Sequence, residues 1–460
     1  MSHATASPLR RHRERLAKSP DLPFDRLLTS EQIDQAVCDE KHTFRDRVYT
    51  PAVTVWAFLW QVLTPNGTCR DAVNRVIAWC VRTGQAAPAA DTGAYCDARV
   101  RLPLGLIQRL VKGVGERTTK ASSNQWRWCG HRVRVADGTT VSMPDTEANQ
   151  KEFPQPKSQK KGVGFPIARL VIVFGLACGS ALEWATGRYR GKGQGETSLI
   201  LGLLDQFERG DVLLADRYYS SYGILARGLA RGVQYVGQSH AARRVDFRTG
   251  LRLGKDDHVV RWTKPTIRAA GWEKDAWASL PSELEVREVR VHVRIAGFRT
   301  KTYVIVTTLL DPVLYPVTAL AELYRRRWLV ELNLRSLKVT LGMDVLRCKT
   351  PEMVKKEIAM HLLAYNLIRG VMAESARTVG GEPWKLSFTG AWSAVRNLET
   401  LICGNPSEGW VMLLQVVCGQ RVGNRPNRVE PRVKKRRPKP HRLMTRPRQQ
   451  LRDEMKRVAR

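Results

Sequence analysis

The 460 residues carry 76 Lys+Arg against 43 Asp+Glu, a formal charge of +33, and 43% of them are hydrophobic. That length exceeds one ordinary core and suggests two or three domains of roughly 150 residues, while the positive surplus points to a polyanionic partner, nucleic acid first and an anionic membrane surface second. No apolar h-region opens the chain, the longest apolar run (LVIVFGLACGSALEWA) is too short and glycine-broken to span a bilayer, and nine scattered cysteines without a CxxC disfavour a disulfide framework or zinc ribbon, so a soluble intracellular protein with reduced thiols is expected.

In chain order, the basic LRRHRERLAK near the start reads as an exposed arm. Three stretches up to about residue 120 (TVWAFLWQVLTP, CRDAVNRVIAWCVRTG and LPLGLIQRLVKGVGERTT) space their apolar residues by three and four, which predicts a helical N-terminal domain over 1–120. From His131 the period changes. HRVRVADGTTVSM, IARLVIVFGLA and ALEWATGRYRG read as strands, followed by a helix (GETSLILGLLDQFERG), a strand (DVLLAD), a helix (SYGILARGLARG) and a strand (VQYVGQS). Strands alternating with helices after an opening meander predict a mixed α/β sheet over 121–375. The rhythm breaks between about 240 and 300, where VREVRVHVRIAGF alternates with period two, and this segment is expected to be a β-rich insertion. KTYVIVTTLL resumes the sheet, and two long helices are expected next, TALAELYRRRWLVELNLRSLKVTLG and PEMVKKEIAMHLLAYNLIRGVMAESA. Residues 376–460 complete the chain as a helical segment and a basic tail. Its last 40 residues hold 16 Lys+Arg against three acidic groups and little apolar surface, so the tail is expected to be disordered when free.

Two aspartates end apolar strands, Asp137 in VRVADGTTV and Asp216 in DVLLADRYYSS. Strand ends can converge, and carboxylates brought together are tolerable around cations; alone, each could equally open a turn. A third carboxylate comes from YRRRWLVELNLRSLK. At about 100° per residue, Tyr324, Arg327, Glu331 and Lys338 fall in an arc of roughly 60°, with Trp328, Leu329, Val330, Leu332, Leu334 and Leu337 around most of the remaining circumference. Such a helix is expected to be packed on several sides, its polar stripe facing a confined site. The bland alternative is two i,i+4 pairs, Arg327 with Glu331 and Glu331 with Arg335, on a solvated face. GKGQGET (191–197) lacks the Walker spacing and reads as a flexible turn with a helix cap, so no nucleotide cofactor is expected. PKSQKKG (156–162) lies close enough after the first Asp strand to touch a nucleic acid, and RVKKRRPKPHR would give salt-sensitive phosphate binding.

The spacing Tyr324-x2-Arg327-x3-Glu331-x6-Lys338 resembles the Y-R-E-K signature of one large group of bacterial insertion-sequence transposases, the DDE type with a ribonuclease H-like catalytic fold. The stretches around Asp137 and Asp216, and VREVRV…GFRT…VIVTTLLD before Glu331, resemble that group too, and together they cover roughly residues 130–370. The resemblance implies a ribonuclease H-like mixed sheet flanked by helices. It makes Asp137, Asp216 and Glu331 the ligands of two Mg²⁺ ions, with Mn²⁺ as a substitute, and gives Tyr324, Arg327 and Lys338 a grip on DNA phosphates near the element end. It implies cleavage and strand transfer at terminal inverted repeats, cut-and-paste through a DNA hairpin, by a homodimer in a synaptic complex with double-stranded target DNA, in the bacterial cytoplasm on the nucleoid. A flipped base would stack on an aromatic at the position of Tyr303, where tryptophan is expected; Trp262, Trp272 and Trp277 compete for that role, and each of the four could instead be a packed aromatic. Two further readings stand beside it: a transposase-derived DNA-binding protein, and a metal-dependent nuclease without strand transfer.

Overall fold

A computed structural model describes residues 24–45, 47–293, 301–423 and 443–458. The basic arm at 9–18, the end of the insertion at 294–300 and the basic run at 432–442 lie outside the described residues.

Nine strands form one sheet: β1 (Val133–Ser142), β2 (Ile167–Gly175), β3 (Ala181–Arg188), β4 (Val212–Ala215), β5 (Gln234–Gln238), β6 (Leu251–Gly254), β7 (Asp257–Thr263), β8 (Glu283–Val293) and β9 (Lys301–Thr307), in the order β3-β2-β1-β4-β5-β9-β8-β7-β6. β1, β4 and β5 run parallel and the other pairings are antiparallel. The β3-β2-β1-β4-β5 half is the mixed sheet that the sequence predicts, in the ribonuclease H-like order that the resemblance implies. Its central strands read as continuous apolar runs because both faces are covered: Val135 and Leu214 point into one core, Ala136, Leu213 and Ala215 into the other.

The second core is closed by the helices Glu196–Leu203 and Tyr222–Ala230 and by Trp262, Trp272 and Trp277. The first is closed by the 28-residue helix Pro351–Thr378, started by a Thr350 cap and Pro351 in its first turn. The helices Pro51–Leu63 and Leu104–Lys120 pack on that long helix and share its core. Asn366, fully buried, ties the three parts together: its amide donates to Val111 and Ala181 carbonyls at 3.0 and 2.7 Å, and its oxygen accepts from Ala181 N–H at 2.8 Å. No helix among the described residues is long and apolar enough to cross a membrane, and none of the nine cysteines, all described, forms a disulfide.

The segment expected as an insertion continues the same sheet through β8 and β9. Buried Arg287 forks onto Asp257 at 2.8 and 2.5 Å and also donates to the Tyr315 carbonyl at 2.7 Å. His258 and Trp262 both reach the Glu288 carboxylate, at 3.1 and 3.0 Å.

Three expectations are corrected. The single helix expected over the Y-R-E-K stretch is broken: Val317–Arg326 and Leu329–Arg335 are separate, and Ser336–Thr340 is a π-helical turn. Bonds three residues back, from Trp328 to Arg325 and from Val330 to Arg327, tighten the junction. Nor is the helix wrapped by all its apolar side chains: Val330, Leu334 and Leu337 are buried, but Trp328 is 49% and Leu332 38% exposed. In addition, part of the tail expected to be disordered is a helix, Arg448–Val458.

Candidate active site

The parallel register pairs Val135 with Leu214, and two residues further along each strand are Asp137 and Asp216. Side chains alternate along a strand, so both carboxyls emerge level with each other on the face of Val135 and Leu214, the face against which Leu329–Arg335 packs. Local backbone fixes their direction: Asp137 Oδ1 accepts the Gly138 N–H at 2.8 Å, and Asp216 Oδ1 accepts the Tyr218 N–H at 2.8 Å as the cap of a short 3₁₀ turn.

The broken helix still presents Tyr324 and Arg327 to this face, with Glu331 paired to Arg327. Tyr324 is buried and donates to Gln238 Oε1, at the end of β5, at 3.1 Å. Arg327 Nη2 lies 3.2 Å from Glu331 Oε1. The guanidinium also feels Tyr324, Asp137 and Asp216, whose negative potential outweighs its desolvation and raises its pKa. Asp137 responds to the same surroundings. Burial pushes its carboxyl up to about 6; the Gly138 N–H and Arg327 oppose the rise, and the nearby carboxylates of Asp216 and Glu196 add to it. Burial, more than neighbouring charge, sets this rise, and the donors here are hard carboxylate oxygens, a set that suits a divalent cation. Among the described residues no group of three His, Cys, Asp or Glu stands as a metal cluster; the Glu331 carboxylate is engaged by Arg327.

Lys338 sits in the π-helical turn, half-buried, seven residues beyond Glu331. Tyr303, on β9, is half-buried with its ring 5.2 Å from that of Tyr324 and tilted by 60°, so the sheet brings it to the stripe. Its three competitors are core residues. Trp262 is 3% exposed and lies under Arg243, and Trp272 and Trp277 pack edge to face at 5.5 Å.

Sequence reasoning missed Glu196. Its Oε1 pairs with Arg169 Nη1 at 2.6 Å, and its Oε2 accepts from the Tyr219 hydroxyl at 3.4 Å. A Cβ built on Gly138 would collide with its carboxyl group. The glycine-rich loop read as a simple helix cap thus delivers a fourth carboxylate beside Asp137. The available signals were the Asp-Gly dipeptide itself and the acid at the first position of the helix.

A sheet of this topology with acidic side chains level on adjoining parallel strands, Asp137 within β1 and not at the strand end expected for it and Asp216 just past β4, defines a class of enzymes that process phosphodiesters. Residues 128–367, just over half of the chain, match the family described as Transposase DDE domain, and the chain belongs to that family: it is a DDE transposase. It is 26% identical over 403 residues to the transposase InsG for insertion sequence element IS4 of Escherichia coli K12, covering 86% of this chain and 87% of that protein. It is 37% identical over 217 residues to the putative transposase InsL for insertion sequence element IS186A of the same strain, covering 39% of this chain and 57% of the relative. Among solved structures, a piggyBac transposase synaptic complex with hairpin DNA aligns over 87% of this chain and 86% of that one with a TM-score of 0.40 and 9% identity, a likeness too loose to match sites residue by residue. Enzymes of the family use divalent metal ions and act on DNA.

Proposed function

We propose that this chain is the transposase of an insertion sequence, cutting and rejoining DNA at terminal inverted repeats with Asp137, Asp216 and Glu331 as the ligands of two Mg²⁺ ions. The observation that carries the reading is the level placement of Asp137 and Asp216 beneath the Tyr324, Arg327 and Glu331 stripe. When bound, such ions would activate the attacking oxygen and neutralise the leaving one in an in-line displacement. The protein's part is positional. Asp137 and Asp216 stand ready on rigid strands, and Glu331 completes the set on release from Arg327. Arg327 then has its fork free for a phosphate, joined by Tyr324 and, as a point charge, Lys338.

Tyr303 stacks on a flipped base during hairpin formation, and its place beside Tyr324 supports this. The helical N-terminal domain (1–120) and the basic tail hold the DNA ends, two copies acting together in a synaptic complex on the nucleoid. The test is cleavage of a plasmid bearing the DNA that flanks the gene, with Mg²⁺, by wild type and Glu331→Gln, the ends being resolved on a denaturing gel. Wild-type cleavage to hairpin ends and joined products, absent in the variant, supports the proposal. Binding without cleavage by either protein refutes it in favour of a DNA-binding role, and cleavage without joined products favours a nuclease.

A further inference from the structure

Glu196 opens the helix Glu196–Leu203 that covers the sheet face opposite Val135 and Leu214, yet its carboxylate is turned to the catalytic strand. Three segments hold it there. Arg169, on the neighbouring β2, donates Nη1 at 2.6 Å, and another guanidinium nitrogen is tied to the Tyr189 carbonyl at 3.1 Å. The Tyr219 hydroxyl, three residues beyond Asp216, donates to the other oxygen. The third is β1 itself: the carboxyl group occupies the space that any side chain at 138 would need, so it lies over the residue next to Asp137. Gly138 has no left-handed φ that would demand glycine. A side chain at 138 would have to push the Glu196 carboxyl away from Arg169 and Tyr219.

We propose that Glu196 is a positioning residue of the catalytic centre, a fourth carboxylate whose charge, tempered by Arg169, sets how tightly the Asp137 site holds a divalent cation. The inference rests on the assignment of Asp137 as a metal ligand. A carboxylate beside a cation site strengthens binding through its field without coordinating, and a guanidinium paired to it weakens that field. Removing the two charges one at a time must therefore move metal affinity in opposite directions, which a purely structural ion pair does not do.

The experiment titrates the full-length, DNA-free protein with Mn²⁺ and follows the free ion by electron paramagnetic resonance, for wild type, Glu196→Gln, Arg169→Gln and Asp137→Asn. Glutamine at 196 keeps the shape and, through its one carbonyl oxygen, still accepts from either Arg169 or Tyr219. The expected result is an Mn²⁺ Kd raised roughly 3- to 10-fold in Glu196→Gln and lowered roughly 2- to 5-fold in Arg169→Gln. The Mg²⁺ concentration for half-maximal cleavage should shift with the same signs, and cleavage by Glu196→Gln should recover at high Mg²⁺. An unchanged Kd in Glu196→Gln, or weakening in both variants alongside lower melting temperatures, overturns the inference while Asp137→Asn still abolishes binding. If Asp137→Asn binds Mn²⁺ like wild type, the metal site itself is misassigned and the inference falls with it.

Discussion

The raised pKa of Asp137 makes a stability prediction that runs against ordinary expectation for a polar substitution inside a protein. Its carboxyl goes from 3.8 to about 6 on folding, with burial as the largest cause. The folded state therefore holds this proton more tightly than the unfolded chain, so stability is full below pH 3.8 and declines as pH rises through about 6. A rise of that size corresponds to about 3 kcal/mol, and solvent screening at a partly exposed group reduces it to about 2 kcal/mol. Asp137→Asn removes the titration. Asparagine keeps an oxygen to accept the Gly138 N–H, so the metal-free variant should be more stable than wild type by about 2 kcal/mol at pH 8, falling to about half of that at pH 5. The assay is urea unfolding of both proteins in chelator at the two pH values, with the midpoint and slope fitted separately. Adding Mg²⁺ should then stabilise wild type and leave the variant unchanged. A variant less stable than wild type at pH 8, or a difference independent of pH, would refute the claim that Asp137 is held ionised against its surroundings.

Three other perturbations separate catalysis, grip and scaffold. Glu331→Gln should lower cleavage by about 10³-fold or more, the scale of losing several kcal/mol of metal-assisted stabilisation, while leaving end binding in a gel-shift assay near wild type; Lys338→Ala should instead weaken binding of the cleaved end, and equal loss of binding in both would contradict the separate roles. Tyr303→Ala should reduce hairpin yield by about 10-fold, the worth of one base stack, Tyr303→Trp should retain it, and Trp272→Phe should lower the melting temperature without changing hairpin yield. Arg287→Ala, which strands the buried Asp257 carboxylate, should cost about 3–5 kcal/mol in urea unfolding and raise hydrogen exchange across β7 and β8.

The elements that set the fold were legible because their physics is local. VRVAD and DVLLAD are largely apolar runs that reach an acid, and the structure makes them adjacent parallel strands with the two aspartates level, Asp137 lying within β1 and not at its end. The spacing of Tyr324, Arg327 and Glu331 likewise brought all three to one face. Illegible features depended on partners distant in sequence. A wheel drawn at a constant angle assumes an unbroken ladder of hydrogen bonds, and it could not foresee the break at Arg327 and Trp328 or the exposure of Trp328 and Leu332. The three insertion tryptophans were open candidates until β7 and β8 closed over them. Glu196 was invisible because its meaning lies in Gly138, and no periodicity connects a glycine-rich loop to a strand laid down 58 residues earlier.

The charge inside YRRRWLVELNLRSLK has an electrostatic explanation that joins stability to chemistry. Asp137 lies in the field of the Asp216 and Glu196 carboxylates where burial already disfavours its ionised form, and such a group is tolerated only with cations near it. Arg169 neutralises Glu196 from the sheet, and Arg327 reaches from the helix to Glu331 within the field of both aspartates. Burial and the neighbouring carboxylates together make the ionised Asp137 carboxyl costly at neutral pH. That ionised carboxyl is what a metal-free protein tolerates at a cost in stability and what a divalent cation relieves. On the proposed function, Arg327 pairs with Glu331 in the absence of metal and turns to a DNA phosphate once metal takes over the carboxylate charge. An arginine is better suited to this exchange than a lysine: its charge persists at every accessible pH, and its fork matches a carboxylate and a phosphate equally well.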